Sequence, residues 1–150
     1  MIEEQHSPRW LQRGFYVSCA AILVVTACAK IWSAHLSTPI LFRRDSLLYI
    51  DTQHVLVFAA IYELLVSFFL VFSHRNCVKS ILIAITGSEF LLYRFFKAAM
   101  HDPRPCPCLG NVPASIGLTD NSVNWILIAI ASYFVCGGIT FYAMRFNRSM

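Results

Sequence analysis

Two thiols stand one residue apart in the segment HDPRPCPCLGN, His101 to Asn111. Cys106 and Cys108 are accompanied by Pro103, Pro105, Pro107 and, shortly after, Pro113. Pro107 drives Cys106 out of the helical region toward an extended backbone. In an extended chain, residues i and i+2 point to the same side, so the two thiols face one another. Their Cα atoms would stand near the long end of the disulfide range, ~4.4–6.8 Å. A bridge there is feasible but strained, and strained bridges are the more oxidising and exchangeable ones. The pair therefore suits thiol exchange; an inert staple, or two free thiols that merely pack, are the alternatives. Copper(I) would need a third ligand, for which His101 alone offers itself, so no metal is assigned.

A second set of reactive residues lies inside long apolar runs: Lys30, Glu63, Glu89, Arg94 and Lys97. Charges in such places are expensive and usually functional. Glu89, Tyr93 and Lys97 recur at i, i+4 and i+8, which puts them on one helix face. The other cysteines read differently. Cys19, Cys28 and Cys136 sit in apolar runs, where a free thiol behaves as a small hydrophobe. Cys77 falls at a short turn on the side expected to be reducing. Packing is the role expected for these four.

The elements that must position these groups are four apolar runs: Gly14 to Ala34, His54 to Ser73, Cys77 to Met100 and Val123 to Phe146. Each is close to the ~20 residues that cross a bilayer as a helix, and none contains proline. The first is too long for the apolar part of a signal peptide and has no clean cleavage site after it, so it is expected to be retained. The whole chain is 57% hydrophobic and 13% charged, which places it in the membrane class as a single domain, 1–150. Its net charge of +4 is small and scattered, which argues against a nucleic-acid partner. No phosphate-cradling loop, HExxH helix or GxSxG elbow is present.

Lys and Arg beside the helix ends set the expected orientation. Arg9, Arg13, Arg75, Lys79, Arg145 and Arg148 fall on one side. Arg43, Arg44 and Arg104 fall on the other, with Lys97 at a helix end. Both termini are thus expected in the cytoplasm and both long loops outside, in the periplasm of a Gram-negative cell. Counting a 1.5 Å rise per residue, Lys30 and Arg94 come within about a turn of the outer surface. Glu63 and Glu89 come one to two turns deeper. The expectation is a polar cluster of all four, below the thiol pair, with Tyr93 able to join it.

The order of these features resembles a known family. ACAKIW closes the first run, YELLV lies in the second, LLYR in the third, and CPCLG precedes the fourth. This is similar to the methylamine-utilisation MauE family and the wider DoxX-like membrane proteins, over about Phe15 to Phe146. The most specific part is Cys106, Cys108, Leu109 and Gly110; Lys30 and Glu63 match the lysine and glutamate of the first two helices. The resemblance implies a four-helix inner-membrane protein concerned with maturation or transport of the disulfide-rich methylamine dehydrogenase β-subunit, often beside a thioredoxin-like partner. The stretch NVPASIGLTDNSVN after Gly110 departs from it.

The sequence-based expectation is therefore an all-α, integral membrane, four-helix transmembrane bundle in a bacterial inner membrane. Cys106 and Cys108 would exchange disulfides with a thioredoxin-like partner or an exported substrate, and Lys30, Glu63, Glu89 and Arg94 would tune or protonate the site. A quinone acceptor is open by analogy with other four-helix disulfide-generating proteins, though no residue specifies it. Two competing readings are a non-enzymatic assembly subunit of a membrane complex and a small transporter.

Overall fold

The computed structural model describes residues 9–35, 51–100, 117 and 119–147. These residues fold into four helices: α1 (Arg9–His35), α2 (Thr52–Phe72), α3 (Asn76–Ala99) and α4 (Asp120–Phe146). The expected bounds hold within two residues for α2 and α3. α1 begins earlier because its polar first turn is helical too: the Gln12 amide donates to the Tyr16 hydroxyl, one turn on, at 2.9 Å. α4 begins earlier because Thr119 acts as its cap, its hydroxyl accepting the Ser122 N–H at 3.4 Å. The cap lies ahead of the apolar run, where hydropathy alone does not look for it. Between α2 and α3 the chain turns in three residues, with Ser73 extended at φ −69° and ψ 142°.

Contacts along the helices fix their relative directions. Ala34 meets Gln53, Lys30 meets Glu63, and Ala20 meets Ser67, so α1 and α2 run antiparallel. Arg94 meets Asn124 while Gly138 lies against Ser80, so α3 and α4 are antiparallel as well. These two hairpin pairs are closely packed. They meet one another through larger side chains. Phe15 of α1 packs against Tyr133 and Phe141 of α4, with ring centroids 5.2 and 5.0 Å apart. The Tyr16 hydroxyl donates to the Asn76 carbonyl at 3.0 Å and lies 2.8 Å from Ser80 Oγ, which ties the start of α1 to the start of α3. The C-terminal ends of α1 and α3 therefore share one end of the array with the N-terminal ends of α2 and α4. The connection between α3 and α4, which carries Cys106 and Cys108, leaves and returns at that end.

The distribution of polarity is inverted relative to a soluble domain. Thr26, Lys30, Ser33, Glu63, Ser67, Ser80 and Thr86 are buried, while Phe58, Leu65, Phe68, Phe95 and Ile139 face outward. An apolar exterior is unfavourable in water and favourable in lipid. Three of the helices, α1, α2 and α4, are long and apolar enough to cross a membrane. α3 is as long but carries Lys79, Glu89, Arg94 and Lys97. Trp10 stands at one end of α1 and Trp32 near the other, and Trp125 stands near the start of α4; all three are exposed. Trp10 and Trp32 are separated by about 33 Å along the helix, close to the ~30 Å of a hydrocarbon core. Such rings favour membrane interfaces.

Candidate functional site

Lys30 and Glu63 form the polar centre of the interior. The Lys30 ammonium donates to Glu63 Oε1 at 2.5 Å, and both side chains are essentially out of solvent, at 4% and 0% exposure. The Thr26 hydroxyl lies within donating distance of the other carboxylate oxygen, Oε2, at 3.1 Å, and of the Leu23 carbonyl at 3.0 Å. Thr26 and Lys30 are four residues apart, so α1 presents both on one face toward α2. The Phe90 ring of α3 lies 5.6 Å from the Lys30 nitrogen and supplies a cation–π contact. Each oxygen of the carboxylate thus has a donor within reach. Without both, the ion pair would not offset the loss of hydration.

Arg94 joins this centre from α3. It is half-buried, and Nη2 donates to the Asn124 side-chain oxygen on α4. Nη1 is enclosed and has no hydrogen-bond partner among the described residues. Thr26, Lys30, Glu63, Phe90 and Arg94 line a common cavity of about 30 Å³, closed on the α4 side by Leu127, Ile130 and Phe134. A buried water occupies at least ~10–15 Å³ of such space, so the cavity has room for a water or two. The arrangement can retain a proton or pass it between a carboxylate, an ammonium and water.

Glu89 is not part of this centre, contrary to the expected cluster of four. Phe90 and Arg94 are one turn apart and share the inward face of α3. Glu89 precedes Phe90 by one residue, about 100° around the helix, which turns it away. It is exposed and lies in a separate groove on the α3–α4 side. Tyr93, on the Glu89 side of α3, is half-buried and does not line the cavity. The depth argument placed Glu89 at the right level; only its direction around the axis differs.

Three participants were not singled out from the sequence: Thr26, Phe90 and Asn124. The first two stand one turn from Lys30 and Arg94, a spacing that could have found them. Asn124 carries the weaker signal of a polar side chain in the second turn of an apolar helix. Among the other cysteines, Cys19 is buried in the core, whereas Cys28, Cys77 and Cys136 are exposed, and all four are free. Of these, only Cys19 packs as the sequence suggests. Lys79, expected near a turn, is buried in the first turn of α3, its nitrogen 5.5 Å from the Tyr16 ring. Cys106, Cys108 and the Lys97 side chain lie outside the described residues. No family model, no curated protein and no solved structure matches the chain.

Proposed function

We propose that the chain is a four-helix transmembrane protein of a bacterial inner membrane that supports thiol–disulfide exchange in exported proteins. Both termini lie in the cytoplasm in this reading, and the Cys106–Pro107–Cys108 pair faces the periplasm. The observation that carries it is the sealed Lys30–Glu63 pair with Arg94 beside it. These groups sit toward the end of the array from which the Cys-bearing connection emerges. A membrane interior retains such charges where they serve chemistry or hold helices together. The resemblance to the MauE family, through Cys106, Cys108, Lys30 and Glu63, supports the same reading.

The exchange step balances without an external oxidant. A thiolate of a thioredoxin-like partner attacks the Cys106–Cys108 disulfide, whose sulfur–sulfur bond breaks as a mixed disulfide forms. The partner's second thiolate then displaces the chain's cysteine. Two electrons and two protons pass to Cys106 and Cys108, and the partner leaves oxidised. Lys30, Glu63 and Arg94 hold the compensating charge and proton within the membrane.

Thiol trapping in intact cells tests this. In spheroplasts a membrane-impermeant maleimide should tag Cys106 and Cys108 after mild reduction, and not before. Equilibration against graded glutathione should give a potential less negative than the ~−300 mV or lower of structural disulfides. Thiols that stay reduced in oxidising buffer, or a pair reached by the reagent only after the membrane is opened, would end the proposal.

A further inference from the structure

Glu89 stands near the middle of α3 and, unlike Glu63, on the outside of the helix array. The Thr86–Tyr62 contact, 3.2 Å between hydroxyls, puts Glu89 at about the level of Glu63. In a bilayer this is well inside the hydrocarbon region, about a turn and a half below the Trp32 ring on the neighbouring scale of α1. The Tyr62 side chain lies near Glu89. Among the described residues the ion pairs are Lys30–Glu63 and Asp51–His54, so no described cation neutralises Glu89.

The carboxylate borders a groove of about 350 Å³ between α3 and α4. Its floor is made of small residues: Ala84, Ser88 and Gly138, the last so close to α3 that a Cβ there would meet the Ser80 carbonyl at 2.8 Å. Its walls are the exposed side chains of Ile85, Leu92 and Ile139. Small floors of this kind let a further transmembrane helix approach closely.

We propose that this groove docks a transmembrane helix of another membrane protein, whose lysine or arginine pairs with Glu89. Charge decides the occupant. The Lys and Arg side chains described in or beside the helices are Arg13, Lys30, Arg75, Lys79 and Arg94; those of Arg9, Lys97 and Arg145 lie outside the described residues. Lys30 and Lys79 are buried, Arg94 is turned inward, and Arg13 and Arg75 stand at the far end of the array. Among the described side chains a second copy thus offers no cation at the level of Glu89, and the proposal assigns the cation to a different chain. The inference rests on the membrane-spanning reading and not on the thiol pair.

The test uses the full chain in phosphatidylcholine vesicles, with p-benzoylphenylalanine at Leu92 as a photo-crosslinker. The probes are biotinylated Leu/Ala transmembrane peptides with a central Lys or a central Gln. The Lys peptide should be captured roughly 3- to 18-fold better, the range of a single interhelical polar contact. Glu89→Gln should erase that preference. Ala84→Phe, which fills the groove and leaves the charge, should reduce capture of both peptides. Equal capture of the two peptides, or a preference that survives Glu89→Gln, would overturn the proposal. Crosslinks between two copies of the chain would overturn it in favour of a self-interface. Resistance to alkaline extraction, scored on the same vesicles, separates these outcomes from a failure of the chain to insert.

Discussion

Two carboxylates at one depth have opposite surroundings. Glu63 is enclosed between α1 and α2, with Lys30 on one oxygen and Thr26 on the other. Glu89 stands on the outer side of α3, beside a groove, with a tyrosine nearby and no described cation. Depth sets how much a bare charge would cost in each place; direction around the helix sets what is available to neutralise it. The first has its counter-charge within the chain. The second has none among the described residues. An internal ion pair and an interaction site can thus arise from the same residue type, separated by their position around the helix axis.

The largest effect should come from breaking the internal pair. Lys30→Met leaves the Glu63 carboxylate buried without its cation, and removal of one buried partner costs about 3–5 kcal/mol. Unfolding in mixed micelles, followed by tryptophan fluorescence, should report a loss of that size. The double variant Lys30→Met, Glu63→Met should recover most of it, because no orphan charge remains. A double variant no better than the single one would show that the pair is not a closed unit.

A middle-sized effect should come from the seam that aims Glu89 outward. Gly87 is two residues before Glu89 on α3 and faces α4. A Cβ there would meet Phe134 Cβ at 2.8 Å and the Ala131 carbonyl at 2.9 Å. Backbone, not a flexible chain end, blocks the space. Gly87→Leu should therefore destabilise by about 1–3 kcal/mol in the same assay, despite leucine's better helix propensity. Tolerance of leucine would mean that α3 is rotated and that the contrast between Glu63 and Glu89 is misdrawn.

Hydropathy and turn chemistry made the helices legible, since apolar runs of bilayer length have few other uses. The Lys30–Glu63 contact was legible too: opposite charges at adjacent depths on consecutive antiparallel helices have few other partners. What depth could not supply was azimuth. Glu89 and Arg94 are five residues apart, about 140° around α3, and only one of them can face the interior. The sequence pattern Glu89–Tyr93–Lys97 does define a face, but not which neighbour that face meets. The inward face is marked instead by Phe90 and Arg94, the Phe90 ring lying against the Lys30 ammonium of α1. Thr119 was missed for a related reason, because a cap lies outside the periodic segment it begins.

The smallest effect should come from the outer carboxylate itself. Glu89→Gln keeps the size and an acceptor oxygen, and removes only the capacity for charge. In the chain taken alone, with no described cation beside Glu89, such a change removes a charge that lipid penalises and should not destabilise. The same exchange at Glu63 removes the counter-charge of a buried ammonium and belongs with the 3–5 kcal/mol class. The two variants, measured side by side in the micelle assay, should therefore differ by a few kcal/mol, although the chemistry and the depth are the same. Equal losses would place Glu89 in the interior with Glu63 and restore the cluster of four. A stabilised Glu89→Gln chain would sharpen the contrast, since it would mean that the isolated protein carries at Glu89 a charge it is better off without until a partner arrives.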